Sequence, residues 1–193
     1  MITLNNNVYN LLKKLNTYSQ ATYKHSLNVA NISVAFAKDL GLNEEDIEKL
    51  RIASLLHDIG KLQIPKHILH IPAKLTKEAY AIIKKHPDYG VNLLINAKFF
   101  EPEILYLILC HHERIDGLGY PNGIKGEKIP YLAKILTICD SYDAMRTSRI
   151  YKEEQNMEYI KKEFEENMGT QFDEYYTKKF LSFIEIHNSI KTK

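Results

Sequence analysis

Histidine and aspartate recur in this chain where apolar helical stripes run out. His57 and Asp58 stand side by side in "LHDIGK", residues 56–61, with Lys61 one turn later. His111 and His112 close the apolar run "EILYLILC". Asp140 and Asp143, three residues apart, fall at the end of "YLAKILTICDSYD". His25 shares a helical face with Val29, Ile32 and Phe36, and His86 stands just before Pro87. A charged group turned toward an apolar interior is costly unless it is paired or bound to a metal. Imidazole and carboxylate together suit borderline divalent ions such as iron, manganese and zinc. Two such ions about 3.5–4 Å apart can clamp a phosphoryl group and generate hydroxide at neutral pH.

Taken singly, each position has an ordinary reading. His25 and His86 pass for a core and a helix-end imidazole. Asp58 and Lys61 pass for a salt bridge, and Asp140 with Asp143 for a solvated helix face. Jointly they carry more, because four separate helix ends bring histidine and aspartate toward apolar faces. His111 continues the stripe of Ile104 and Leu107, and Asp140 follows Ile135, Leu136 and Ile138.

Apolar residues return mostly at three- and four-residue spacing, so the elements that must position these groups are helices nearly throughout. Helices are expected from about Ser19 to Asp39, ended by Gly41, and from an Asn43 cap to His57, ended by Gly60. A helix capped by Thr76 is expected to end at His86-Pro87, and Asp88 to start another. Glu101-Pro102 opens the helix leading to His111, and Asp173 caps the last one. A glycine- and proline-rich loop, about 113–130, interrupts the pattern; loops of that length in a domain are usually functional or disordered. Residues 1–18 read as a short leading helix or appendage, and 19–193 as one all-α domain.

The bulk composition narrows the function. The 193 residues carry a formal net charge of only +2, which does not indicate a duplex nucleic-acid footprint. The two cysteines, Cys110 and Cys139, make no disulfide framework and read as small buried hydrophobes. No apolar run approaches a membrane span, and the start of the chain lacks a signal-peptide core. A cytoplasmic protein is expected, with no sensor domain ahead of His25.

The segments "HDIGK" at 57–61, "HHERIDGLGYP" at 111–121 and "DSYDAM" at 140–145 resemble the HD-GYP branch of the HD-domain metal phosphohydrolases. The likeness extends through "HP" at 86–87, "RIY" at 149–151 and "GTQFD" at 169–173. It implies an all-helical domain that hydrolyses the bacterial messenger cyclic di-GMP to pGpG, with a second cut to GMP as an option, through a hydroxide bridging two metal ions. By position, His25, His57, Asp58 and Asp140 would hold one ion. Asp58 would bridge to a second, held by His86, His111 and His112. Lys61 matches a lysine that contacts the scissile phosphate, and Asp143 a carboxylate that orients this lysine or a metal-bound water. Arg149 and Tyr151 match substrate-contacting positions. Iron or manganese is the expected metal, with zinc, magnesium, nickel and cobalt compatible.

The chain departs from the family pattern in places. Ala21 stands where some members carry a glutamate that supports a third ion, so two metals are expected. Asn28, Met145-Arg146 and Glu174 also differ from the usual residues, without removing a ligand. The resemblance links the loop around Tyr120 to contacts with GGDEF-domain proteins; the residues alone equally allow Gly117, Gly119 and Pro121 simply to fix a turn. Two other readings stay open: an HD-type phosphohydrolase acting on another nucleotide, and a non-catalytic module that binds a cyclic dinucleotide or a partner.

Overall fold

Side chains cap most of the helices in the computed structural model, which describes residues 2–71, 75–147 and 156–191, with side chains through Ile186. Asn5 accepts from the Val8 amide to open α1 (Asn6–Tyr18), and Ser19 from Thr22 to open α2 (Gln20–Asp39). Asn43 starts α3 (Glu44–Leu56), whose first turn carries three acids against the helix dipole. After a 3-10 turn at Ile59–Gln63 come α4 (Lys66–Leu69) and α5 (Lys77–Ile83), the latter capped by Thr76. The chain continues through α6 (His86–Asn96), α7 (Pro102–Cys110), α8 (Tyr131–Arg146), α9 (Met157–Glu166) and α10 (Glu174–Lys191). No sheet forms among the described residues; Met168 and Phe172 make one isolated bridge.

The all-α expectation therefore holds, with one boundary corrected. His86 does not end α5 but opens α6, with Pro87 in the first helical turn, where its missing N–H costs nothing. Gly41 ends α2 at φ 72°, as its position suggested.

α2, α3 and α8 form the centre. Most of α8 is buried, including Ala133, Leu136, Cys139, Tyr142 and Met145. A helix enclosed on nearly every side shows no apolar stripe to a sequence reading. Phe36 of α2 meets Phe180 of α10 edge-on at 5.0 Å, and Phe164 of α9 lies 5.7 Å from Phe180. This aromatic cluster ties the last two helices to the centre. The leading helix belongs to the same core, since Val8, Leu12 and Leu15 of α1 are buried in it. No described helix is long and apolar enough to cross a membrane.

Candidate metal centre

The last carbonyls of a helix have no intrahelical donor. Three histidines of this chain use that vacancy in the same way. His57 caps α3 and donates Nδ1–H to the Ser54 carbonyl at 2.7 Å. His111 caps α7 and donates to Ile108 at 2.6 Å. His86, just past α5, donates to Ile83 at 2.8 Å. A carbonyl only accepts, so each ring carries its proton on Nδ1 and turns Nε2 inward as a bare lone pair. Burial pushes His86 down to about 3 and His111 to about 4, so both rings stay neutral.

The inward atoms converge. The Nε2 atoms of His86 and His111 lie 3.1 Å apart, two lone pairs facing each other. His57 Nε2 is buried with no hydrogen-bond partner, as is Asp58 Oδ1. Asp58 is 1% exposed and divides its two oxygens. Oδ1 stands 3.3 Å from His86 Nε2, while Oδ2 stands 3.5 Å from His57 Nε2 and 3.9 Å from His25 Nε2. Burial works to raise Asp58, but the Lys61 ammonium at 2.6 Å and the surrounding histidines together outweigh it and hold the carboxyl well below its usual range.

His25 is tethered by carboxylates. Its Nδ1 lies 2.6 Å from Asp143 Oδ2 and its Nε2 2.7 Å from Asp140 Oδ1. Burial works to lower this imidazole, and the bonds to Asp140 and Asp143 overcome it, raising its pKa to about 9. Asp143 thus contacts the histidine, whereas Lys61 is paired with Asp58. A carboxylate on the far nitrogen of a ligating histidine is the arrangement that fixes ring orientation in metal sites.

Three groups of donors lie within ligation reach of one another: His25, His57 and Asp58; His57, His111 and Asp140; and His86, His111 and His112. Bare imidazole nitrogens facing each other, beside an orphaned carboxylate oxygen, are unfavourable in an empty centre. Divalent cations would satisfy all of them at once, so the residues fit a metal. All seven sequence-derived ligands meet here, with Lys61 and Asp143 in contact with them. Arg149 and Tyr151 lie outside the described residues. Cys110 and Cys139 stay out of the site; burial pushes their thiols up to about 11 and about 12.

The glycine-rich loop closes against the second group. The Tyr120 ring packs on His112 at 4.7 Å, and its amide donates to the His112 carbonyl at 3.1 Å. Glu113, read from sequence only as the start of the loop, is 2% exposed and accepts from the Asn122 amide at 2.8 Å. The "GTQFD" segment braces the other side: Asp116 N donates to Thr170 O, and Arg114 to Gln171. No local pattern marked Glu113, because its burial depends on the loop folding back over it.

Gly119 is wedged in this contact. A Cβ there would stand 2.5 Å from both Arg114 N and His112 O, and 2.6 Å from Glu113 Cα. Gly119→Ala is expected to lift the loop off His112, costing about 2 kcal/mol of stability and about tenfold or more in turnover. Thermal unfolding and steady-state rates check this; wild-type turnover would show that the loop does not set His112.

A family model described as "HD domain" matches residues 9–175, most of the chain. The chain belongs to the HD-domain family. Its HD pair is His57-Asp58, and the segment from His111 to Pro121 carries the HD-GYP signature. The chain is 39% identical over 141 residues to cyclic di-GMP phosphodiesterase PA4108 of Pseudomonas aeruginosa, covering 73% of this chain and 34% of that protein. It is 38% identical over 167 residues to 3'3'-cGAMP-specific phosphodiesterase 2 of Vibrio cholerae, covering 86% and 32%. The HD domain of the L. monocytogenes phosphodiesterase PgpH, solved in complex with cyclic-di-AMP, superposes with a TM-score of 0.65 at 25% identity, covering 95% of this chain and 98% of that one. This HD-domain chain spans about a third of the length of the two enzymes it matches by sequence.

Proposed function

We propose that this HD domain is a metal-dependent phosphodiesterase that opens a cyclic dinucleotide, cyclic di-GMP first among them, to the linear pGpG. The observation that carries the proposal is the division of Asp58 between two histidine groups, into which His57, His86 and His111 each turn an Nε2 that has no proton to give. That geometry suits two cations sharing one carboxylate, and a mixed imidazole and carboxylate donor set suits borderline divalent ions such as iron, manganese or zinc. His25, His57, Asp58 and Asp140 would hold one ion; Asp58, His86, His111 and His112 would hold the other. When bound, such a pair supplies Lewis acidity toward a phosphoryl oxygen and lowers the pKa of water toward neutrality. The similarity to enzymes named for cyclic di-GMP and for 3'3'-cGAMP supports a cyclic dinucleotide as substrate.

The chain's own residues do the rest. Lys61 neutralises Asp58 at 2.6 Å in the protein alone. Its ammonium would also serve a non-bridging oxygen of the scissile phosphate, where negative charge grows. Asp143 keeps the His25 ring oriented, and the backbone carbonyls do the same for His57, His86 and His111. Arg149 and Tyr151 serve the substrate by their place in the motif. Leu118, 79% exposed at the loop tip, leaves an apolar surface for a GGDEF-domain partner.

The test is anaerobic loading with iron or manganese, metal analysis, and product chromatography over a panel of cyclic di- and mononucleotides. Conversion of cyclic di-GMP to pGpG is expected; binding without turnover would instead favour a non-catalytic module. Lys61→Ala is expected to keep its metal and lose about a hundredfold or more in turnover. Hydrolysis at the wild-type rate would remove Lys61 from the mechanism.

A further inference from the structure

Beside the second histidine group stands an aromatic pair: Tyr120, which rests on His112, and Tyr80, which neither the core nor the metal centre requires. Tyr80 of α5 is 46% exposed, and its ring meets the Tyr120 ring edge-on at 6.4 Å. Tyr120 in turn lies 4.7 Å from the His112 ring and 6.4 Å from the His86 ring. Lys84, one turn after Tyr80, holds its ammonium 5.3 Å from the Tyr80 centroid and 5.9 Å from that of Tyr120. No carboxylate pairs with Lys84 among the described residues, whereas Lys49, Lys61, Lys134, Lys161 and Lys178 are each paired with one.

We infer that Tyr80, Lys84 and Tyr120 form a wall that receives one purine and the uncut phosphate of a cyclic dinucleotide. The inference rests on the phosphodiesterase reading and adds where the rest of the substrate lies. A cyclic dinucleotide carries two phosphates and two flat bases on one ring. With one phosphate at the metal centre, the other phosphate and a base must extend past its rim. On the side of His86 and His112, that rim presents two tyrosine rings and an unpaired ammonium. Aromatic faces stack any base because every base has a π-face. An ammonium resting between two rings stays desolvated enough to meet a phosphate oxygen strongly. Stacking does not separate guanine from adenine, so the wall fixes the substrate class and leaves base choice to other contacts.

The experiment uses metal-loaded protein and the bisphosphorothioate analogue of cyclic di-GMP, which is cleaved slowly enough for equilibrium titration. Tyr80→Ala and Lys84→Ala are each expected to raise its Kd about tenfold. Tyr80→Phe is expected to restore wild-type affinity. Metal content and thermal unfolding, measured on the same samples, are expected to match the wild type, since neither side chain is a ligand or buried. Unchanged Kd in both alanine variants would overturn the inference. Wild-type turnover of bis(p-nitrophenyl) phosphate, which has no bases, is measured in parallel. Its absence would strike the proposed function, while a Kd shift in the variants would still support the wall.

Discussion

Asp58→Asn is expected to lower phosphodiester turnover by about three orders of magnitude and to leave at most one metal ion per chain. The amide keeps the shape of the carboxylate but loses the charge that serves both histidine groups. Loss of shared cation binding removes several kcal/mol of transition-state stabilisation, and each 1.36 kcal/mol is about tenfold in rate. The substitution also removes the buried partner of Lys61, and a carboxyl held well below its usual range stabilises the fold in its charged form. The metal-free variant should therefore melt below the wild type, and the rise in Tm on adding metal should shrink or vanish. Two ions bound to the variant, with activity intact, would mean that Asp58 is not shared.

Gly60→Ala is expected to damage both stability and catalysis, although it adds one methyl group. A Cβ at Gly60 would stand 1.9 Å from the His86 carbonyl oxygen and 2.5 Å from the Gly90 amide nitrogen. These are backbone atoms of α6, so no side chain can swing away. The expected cost is about 3 kcal/mol or more, a fall in Tm of roughly 6–12 °C for a chain of this size. The displaced segment carries His86, so the second metal position should weaken, and a shift of about 1 Å at such a site costs about a hundredfold in rate. Gly41→Ala is the control. It meets nothing within 4 Å and has a positive φ of 72°, so about 1 kcal/mol of stability and no activity should be lost. Equal behaviour of the two variants would show that Gly60 matters only as a helix stop.

The contrast between those glycines shows what the sequence could and could not convey. Gly41 follows a helical stripe and was readable as its terminator. Gly60 looked the same from the sequence, but its main duty is to let α6 pass against it, which only the packed chain reveals. The candidate ligands were legible because buried imidazoles and carboxylates sit where apolar stripes end, and because their motifs belong to a known family. His86 was read as a candidate ligand but placed on the wrong helix, since a His-Pro pair reads as a stop when it opens the next one. Asp143 was expected to serve Lys61 or a water. In the structure it touches His25, a pairing across 118 residues that no local pattern encodes. Glu113 was hidden for the same reason, as its burial is made by a loop that returns over it.

The histidines suspended from the carbonyls of Ser54, Ile83 and Ile108 carry one more consequence. Their aim is dictated by main-chain polarity rather than by neighbouring side groups, so substitutions around the site should leave the three rings pointing inward. Choice among divalent ions of similar radius then falls to the carboxylates, donors that no main-chain carbonyl anchors.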